Sequence, residues 1–261
     1  MGILEIKILR GKIKLKRGDY LQYMGGKSRI SNDISEIINT YSKDKDFVSL
    51  FCGGCSIEAK VISKSKLCND GHKYLISLLT AVQNGYELPD ILSKEEYYII
   101  KGNKDEDEAL TGFVGFGCSF GGKWFGGYAK NNSGTNYAKQ SKNSLLKKMK
   151  NLETAVFTNL DYKDVNIPKG SVVYCDPPYA NTTGYSNSNT FSHEEFWEYM
   201  RELSKDNLVF ISELNAPTDF ISIWEKPLKR VLDVNKDNVI NSQEKLLIHS
   251  CNENLLIKSN N

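Results

Sequence analysis

Four residues, Asp176-Pro177-Pro178-Tyr179, directly follow the apolar run 171–175, and no other segment of this 261-residue chain limits its fold as strongly. A short apolar run that ends at prolines is typical of a buried β-strand. Ligands of open α/β sheets bind at the carboxyl ends of the strands. Proline cannot donate a backbone hydrogen bond, so the Asp176 carboxylate and nearby carbonyls are left to accept hydrogen bonds from a planar, amino-bearing base. In isolation, the four residues are also compatible with a rigid turn.

A second apolar strand, residues 46–51, leads into Cys52-Gly53-Gly54-Cys55-Ser56. The apolar positions that follow predict a helix; they are Ile57, Ala59, Val61 and Ile62. Strand, glycine turn and helix together form a nucleotide-binding geometry. A third strand, residues 66–68, precedes Asp70, at about the distance from the glycine turn that is expected for an acid that binds ribose hydroxyls.

A further segment near the N-terminus, Tyr23-Met24-Gly25-Gly26-Lys27, precedes these motifs. In type and order the motifs resemble those of the DNA adenine methylase (Dam-like, D12 class) amino-methyltransferases, in particular the phage and bacterial members. The resemblance covers most of the chain. It implies an α/β fold, a Rossmann-like S-adenosylmethionine-dependent methyltransferase sheet with an inserted target-recognition segment. One residue departs from the family's Phe-x-Gly-x-Gly turn, since Cys55 stands at the second glycine. We expect Gly54 to relieve the resulting strain.

The resemblance implies methyl transfer from S-adenosylmethionine to adenine N6 in double-stranded DNA. The lone pair of N6 is delocalised into the ring, so both N–H protons must be held by acceptors. Asp176 and the Pro177 carbonyl would accept them, and Pro178 completes the motif. Because the target lies inside a paired stack, it must be flipped out, and Tyr179 would stack on it.

The resemblance also implies a set of cofactor-binding residues. Lys27 would face the methionine carboxylate, Asp70 would bind the ribose diol, and Asp161 would accept a hydrogen bond from the cofactor's adenine amine. A solvated loop acid is an equal alternative for Asp161. The full set is Tyr23, Gly25, Lys27, Phe51, Gly53, Asp70, Asp161, Tyr162 and Asp176.

Residues 109–152 contain no Asp or Glu but many lysines and aromatic residues. A basic, aromatic and glycine-rich segment is typical of a nucleic-acid surface. The candidate DNA-binding residues are Lys123, Lys130, Lys139, Lys142, Lys147 and Lys148. A helix with a solvated lysine face near residues 144–151 is the alternative for Lys147 and Lys148. The interleaved aromatic residues either contact DNA or pack under the loop.

These features predict a catalytic domain from residues 1–84 and 155–261, with a target-recognition insertion at 85–154. We expect a cytoplasmic protein, because no apolar run could span a bilayer and the N-terminal apolar residues are interrupted by Glu5, Lys7 and Arg10. The oligomeric state stays open between monomer and dimer. No metal is expected, because Cys52-x-x-Cys55 lacks a second pair of ligands. Cys175 is interpreted as a core residue.

The C-terminal half contains further predicted elements. Ser192 and Glu195 form a capping box that predicts a helix, and residues 208–212 predict a strand. Residues 246–249 and 255–257 predict a closing hairpin.

Three other functions remain open at this stage. Cytosine-N4 methylation needs the same acceptors as adenine methylation. A non-catalytic DNA-binding homologue would keep the motifs without activity. A dinucleotide oxidoreductase is disfavoured, because Cys52-Gly53-Gly54-Cys55 is a poor phosphate turn.

Overall fold

The computed structural model describes residues 26–178, 191–231 and 239–257. The predicted roles of Tyr23, Gly25 and Tyr179 therefore lie outside the described residues.

The described strands form one seven-stranded sheet in the order β3-β2-β1-β4-β5-β7-β6. Strands β1 to β5 pair in parallel, and β7 runs antiparallel between β5 and β6. This is the doubly wound Rossmann order with one antiparallel strand inserted near the edge, so the expected α/β sheet is confirmed. The strands are β1 (Asp46–Ser49), β2 (Ser65–Asn69), β3 (Val156–Thr158), β4 (Val172–Cys175), β5 (Leu208–Ser212), β6 (Phe220–Val231) and β7 (Val239–His249).

Helices cover both faces of the sheet. They are α1 (Ser31–Ser42), α2 (Lys73–Gln83), α3 (Lys94–Gly102), α4 (Glu108–Gly112), α5 (Tyr137–Met149), α6 (His193–Asp206) and α7 (Glu253–Ile257). Successive residues of β4 point to opposite faces, as the period of a strand requires. Val172 and Tyr174 pack with α1, while Val173 and Cys175 pack with α6. Complete burial of β4 on both sides explains its continuous apolar sequence.

The parallel strands bring the predicted polar residues to one edge of the sheet. Beyond β1, the Leu50 N–H donates to the carbonyl of Tyr174 (3.1 Å), and the Cys52 N–H donates to the carbonyl of Asn69 (2.8 Å). The chain thus crosses from β4 toward β2 as it enters the glycine turn. The carboxyl ends of β1, β2 and β4 consequently meet at the same place.

The helix predicted after the glycine turn does not form, and this expectation was wrong. Residues 57–60 form hydrogen-bonded turns, in which the N–H groups of Lys60 and Val61 both donate to the carbonyl of Ile57. Ile57 and Val61 are nevertheless buried against α1. Their four-residue spacing therefore reflects one turn packed on the core rather than a helix.

The predicted C-terminal hairpin was also wrong. The hairpin partner of β7 is β6, which precedes it in the chain, and residues 253–257 form the short helix α7. A short apolar run such as 255–257 does not distinguish a strand from a helix. Strand β6 lies at the edge of the sheet, and Pro227 is tolerated there because an edge strand has unpaired N–H positions.

The segment between α2 and β3 packs on the sheet. Gln83 Nε2 donates to the carbonyls of Leu152 (2.7 Å) and Ala155 (2.8 Å), so the two ends of the segment are held together. Residues of α3 and α5 share one hydrophobic cluster with α2 and with Cys52 and Cys55 of the glycine turn. This segment therefore packs directly against the glycine turn that follows β1.

Candidate active site

Asp176 lies at the carboxyl end of β4 and is held by a lysine from the N-terminal segment. Lys27 Nζ donates to Asp176 Oδ1 at 2.7 Å. The Lys27 side chain is buried, whereas the Asp176 side chain keeps a fifth of its surface exposed. Pro177 is buried and Pro178 is half-buried. The expected ammonium is thus at the site, but in this structure it contacts the Asp176 carboxylate.

Two further carboxyl groups surround this ion pair. Glu244 of β7 lies with Oε2 3.8 Å from Lys27 Nζ, and Glu213 follows β5. Both are buried, and Oε2 of Glu213 has no hydrogen-bond partner. Burial raises the pKa of Glu213 to about 7, and the negative charge of Asp176 adds to this. The Lys27 ammonium therefore interacts with the carboxyl groups of Glu213 and Glu244 as well as with that of Asp176.

Glu213 directly follows the predicted strand 208–212, whereas none of the sequence motifs indicated Glu244. Glu244 lies two and four residues before Leu246 and Ile248, which are buried against α1. In a strand this spacing places it on the same, core-facing side. The alternation along β7 could have identified it.

Asp70 follows β2, and two backbone groups fix its carboxylate. The Gly53 N–H donates to Oδ2 and the His72 N–H donates to Oδ1, each at 2.9 Å. Burial raises the pKa of Asp70 to about 6, although the two hydrogen bonds oppose this shift. Each carboxylate oxygen retains a second lone pair. The carboxylate can therefore accept hydrogen bonds from a vicinal diol.

Asn69 holds the loops around Asp70. Its Nδ2 donates to the carbonyls of Leu50 and Leu160, each at 3.1 Å, and its Oδ1 accepts from the N–H of Leu160 at 3.0 Å. The loop that carries Asp161 is thereby tied to β1 and β2. Asp161 itself is exposed and accepts a hydrogen bond from the Lys163 N–H.

Two aromatic residues predicted for the cofactor site contact each other. The ring centroids of Phe51 and Tyr162 lie 5.3 Å apart. Phe51 is half-buried, while Tyr162 is buried against α6. Phe51 is thus the more accessible of the two rings.

The glycine turn contains two residues in the left-handed region. Gly53 has φ +48° and Cys55 has φ +51°. The expectation that Gly54 relieves the strain was wrong, because Cys55 itself adopts the conformation that glycine would take. A cysteine in this region is strained, whereas glycine is not. Cys55 is completely buried.

Glu58 is a buried acid beneath the turn that the motif analysis missed. Its Oε1 accepts from the Ser49 hydroxyl (2.7 Å) and its Oε2 accepts from the Ile57 N–H (3.1 Å). Burial raises the pKa of Glu58 to about 8. No periodic pattern marks this position, so local sequence contains no signal for it.

The lysines of the insertion have different environments. Lys123, Lys130, Lys139 and Lys147 are exposed, while Lys142 is half-buried. Asp90, which precedes the acid-free segment, lies 3.6 Å from Lys139 Nζ and 2.7 Å from Lys142 Nζ.

Lys148 does not belong with these surface lysines, and its assignment to DNA requires correction. Its side chain is buried, and its ammonium donates to the carbonyl of Gly54 and to the hydroxyl of Ser56. Burial lowers the pKa of Lys148 to about 8. Its position on the inner side of α5 turns it away from solvent.

The aromatic residues of the insertion mostly pack inward. Trp124 stacks on Tyr74 of α2 with a centroid distance of 5.3 Å, and Phe125 is buried against Tyr97. Phe120 differs, because two thirds of its surface is exposed on a tight turn.

The structure also bears on Cys175, on possible metal ligands and on possible membrane spans. Burial raises the pKa of the Cys175 thiol far above its ordinary value, which disfavours a nucleophilic role. Within residues 26–178, 191–231 and 239–257, no group of three or more His, Cys, Asp or Glu residues could hold a metal ion. In the same part of the chain, no helix has the length and apolar character needed to cross a membrane.

Comparison with known proteins identifies relatives of this chain. The family model of D12 class N6 adenine-specific DNA methyltransferases matches residues 23–110 and 122–224, which is most of the chain. Type II methyltransferase M.FokI of Planomicrobium okeanokoites is 21% identical over 210 residues, which cover 70% of this chain and 32% of that protein. The chain thus spans about a third of that relative's length.

Solved structures with a similar outline include two methyltransferases. The rRNA methyltransferase aviRa of Streptomyces viridochromogenes gives a TM-score of 0.43 at 10% identity, with 91% of this chain and 89% of that chain covered. An rRNA methylase of Streptococcus thermophilus gives 0.36 at 7% identity, with 91% and 98% covered. The assignment of the fold rests on the observed strand order.

Proposed function

The chain belongs to the D12 class of N6 adenine-specific DNA methyltransferases, and from this premise we propose that it transfers a methyl group from S-adenosylmethionine to N6 of a flipped adenine in duplex DNA. The observation that supports this most directly is the position of Asp176. Its partly exposed carboxylate lies at the carboxyl end of β4, on the sheet edge where Asp70 follows β2. An acceptor for an amine and an acceptor for a diol thus share one edge.

Asp176 and the Pro177 carbonyl are proposed to accept the two N–H protons of the target amine. Two acceptors on one amine favour a tetrahedral nitrogen whose lone pair can attack. Transfer then forms the N–C bond and breaks the bond between the methyl carbon and sulfur. The nitrogen must lose one proton, and the Asp176 carboxylate is placed to accept it. Lys27 compensates the negative charge of Asp176 while the amine approaches.

The residues at the edge fit the methyl donor. When it is bound, S-adenosylmethionine supplies a methyl group that its sulfonium has already activated. The Asp70 carboxylate, oriented by Gly53 and His72, suits the ribose diol. Phe51 presents a half-buried ring beside the turn. We assign the adenine amine of the donor to Asp161, which is exposed on the neighbouring loop. Positioning of the nitrogen and the methyl carbon is the main requirement for such a transfer.

The DNA surface is proposed to lie on the insertion. Lys123 and Lys130 are exposed on the glycine-rich segment, and Lys139, Lys142 and Lys147 follow on α5. Phosphate contacts by such lysines would position the duplex without specifying its sequence. Phe120, exposed beside Lys123, is available for apolar contact with bases.

The experiment is to expose unmethylated DNA to the protein and S-adenosylmethionine, digest it to nucleosides and identify the product by mass. We expect N6-methyl-2′-deoxyadenosine from the wild type and none from Asp176→Ala. Titration of the variant with S-adenosylhomocysteine shows whether the cofactor site is retained. N4-methyl-2′-deoxycytidine would establish the cytosine alternative. A product from Asp176→Ala at the wild-type rate would exclude the proposed role of this residue.

A further inference from the structure

Lys148 is a buried lysine of the insertion that contacts the glycine turn. Its ammonium donates to the carbonyl of Gly54, and it lies 3.3 Å from the hydroxyl of Ser56. Among the described residues it makes no ion pair within 4 Å, although nine tenths of its surface is buried. Burying a charged group is costly unless it is paired or hydrogen-bonded. The hydrogen bonds to the glycine turn therefore offset the cost of burying the Lys148 ammonium.

The contact fixes one peptide unit of the turn. The carbonyl of Gly54 and the N–H of Cys55 belong to the same planar group. The Cys55 N–H donates to the carbonyl of Cys52 at 2.9 Å, and the Gly54 carbonyl accepts from Lys148 at the other end. This peptide plane is thus held on both sides.

The same peptide plane determines the backbone angle of Cys55. The angle φ of Cys55 describes the rotation about its N–Cα bond relative to the peptide that joins residues 54 and 55. Its value is +51°. Glycine adopts this value freely, whereas a residue with a Cβ is strained there. Such strain persists only where the surroundings enforce it.

We propose that Lys148 is a positioning residue of the methyl-donor site, which holds the 54–55 peptide in the orientation that the turn needs although position 55 lacks glycine. The assignment rests on the proposed function of the turn. It gives the buried lysine of the insertion a role in cofactor binding and not in DNA binding.

The surroundings of Lys148 connect the turn with the catalytic acid. The Ser56 hydroxyl, which Lys148 contacts, lies 3.3 Å from the hydroxyl of Ser28. Ser28 follows Lys27, whose ammonium contacts Asp176. A displaced turn would therefore disturb the methyl-donor side of the site first and the acid second.

The test compares Lys148→Met with Lys150→Met in the 261-residue chain. Methionine resembles the lysine stem in length and removes the charge, and Lys150 is exposed near the end of the same helix. Binding of S-adenosylhomocysteine is measured by calorimetry, and DNA binding by fluorescence anisotropy. We expect Lys148→Met to weaken S-adenosylhomocysteine roughly tenfold, as relaxation of one strained residue predicts. DNA affinity should be retained, and Lys150→Met should leave the S-adenosylhomocysteine affinity unchanged.

Rescue by glycine separates positioning from general packing. In the Cys55→Gly background the turn needs no enforcement, so adding Lys148→Met should change the affinity for S-adenosylhomocysteine by less than about threefold. An undiminished tenfold loss in that background would overturn the proposal, and so would wild-type affinity in the single variant Lys148→Met. If Lys148→Met does not fold, the double variant decides, because its failure to fold would assign Lys148 to core packing. Absence of binding by the wild type would instead count against the proposed function.

Discussion

Lys27 Nζ and Asp176 Oδ1 lie 2.7 Å apart, although 149 residues separate them in the chain. The pair joins the segment before α1 to the carboxyl end of β4. Glu244 of β7 lies 3.8 Å from the same ammonium, and the buried Glu213 follows β5. The group that compensates the proposed catalytic acid therefore also compensates the acids of two other strands. Catalysis and stability should depend on it together.

Lys27→Met should destabilise the protein by about 3–5 kcal/mol, the usual loss when one partner of a buried ion pair is removed. The reason is that Asp176 and Glu244 both lose their contact with this ammonium. Urea denaturation measures the effect. Adding Glu244→Gln should recover part of the loss, because one of the two carboxylates that have lost this cation is then replaced by a neutral amide. If the double variant were no more stable than Lys27→Met, the Lys27–Glu244 contact would be energetically unimportant.

The methylation rate provides a second measurement on the same variant. The Lys27 ammonium compensates the charge of the Asp176 carboxylate, so the rate should fall in Lys27→Met, whereas Lys27→Arg keeps the charge and should retain most of the rate. An equal loss of rate in Lys27→Arg would indicate that the shape of the site, and not its charge, had changed.

Cofactor affinity should depend on the ionisation of Asp70. The pKa of this carboxyl group is raised to about 6, so it accepts two hydrogen bonds from a diol above that pH and becomes protonated below it. Calorimetry with S-adenosylhomocysteine should show weaker binding as the pH falls from 7.5 to about 5.5. Asp70→Asn should bind at least roughly tenfold more weakly at pH 7.5 and lose this pH dependence. Exposed Glu87, changed to Gln, is the matched control. A pH-dependent Asp70→Asn would point to another titrating group.

DNA affinity should distinguish exposed lysines from Lys148. Lys123→Ala and Lys130→Ala should each reduce the dependence of log K on log salt concentration by about 1, because each removes one phosphate contact. Lys142→Ala should have a smaller effect, since Asp90 already lies 2.7 Å from its ammonium. Lys169, exposed in the turn before β4, is the control. If the lysine variants of the insertion showed the same salt dependence as the Lys169 control, the DNA surface would have to lie outside the insertion.

Much of the fold and part of the site can be predicted from the sequence, because both depend on local patterns. Strand β4 is a continuous apolar run since it is buried on both faces, and the acid that follows must reach the carboxyl edge. The same reasoning places Asp70 beyond β2. A short strand can be predicted because all the residues that define it are adjacent in the sequence.

Contacts between distant segments were not predictable in this way. Whether a lysine of α5 points to solvent or to Gly54 depends on how the helix packs, and Lys147 and Lys148 differ in the sequence only by one step of the helix. The peptide next to the strained Cys55 likewise accepts a hydrogen bond from Lys148, which lies 94 positions further along the chain. Residues 255–257 could not be assigned for another reason, because three consecutive apolar residues fit a strand and a helix equally well.

Glu58 predicts a specific pH dependence of stability. Its pKa is raised from 4.5 to about 8 in the folded protein, first of all by burial. Between these values the folded state binds a proton that the unfolded state releases, so the free energy of unfolding decreases as the pH rises, by about 1.4 kcal/mol per pH unit. Above about pH 8 this contribution is constant.

Glu58→Gln should remove this dependence. The amide cannot ionise, and like the protonated carboxyl group it offers one acceptor and one donor to the Ile57 N–H and to the Ser49 hydroxyl, which can itself accept. The variant should therefore be close to the wild type in stability near pH 5 and gain on it steadily up to pH 8. Urea denaturation at pH 5, 6, 7 and 8 measures the difference, with Glu87→Gln as the exposed control. A difference that is constant across this range would mean that Glu58 is ionised throughout, and that its two hydrogen bonds outweigh the cost of burying its charge.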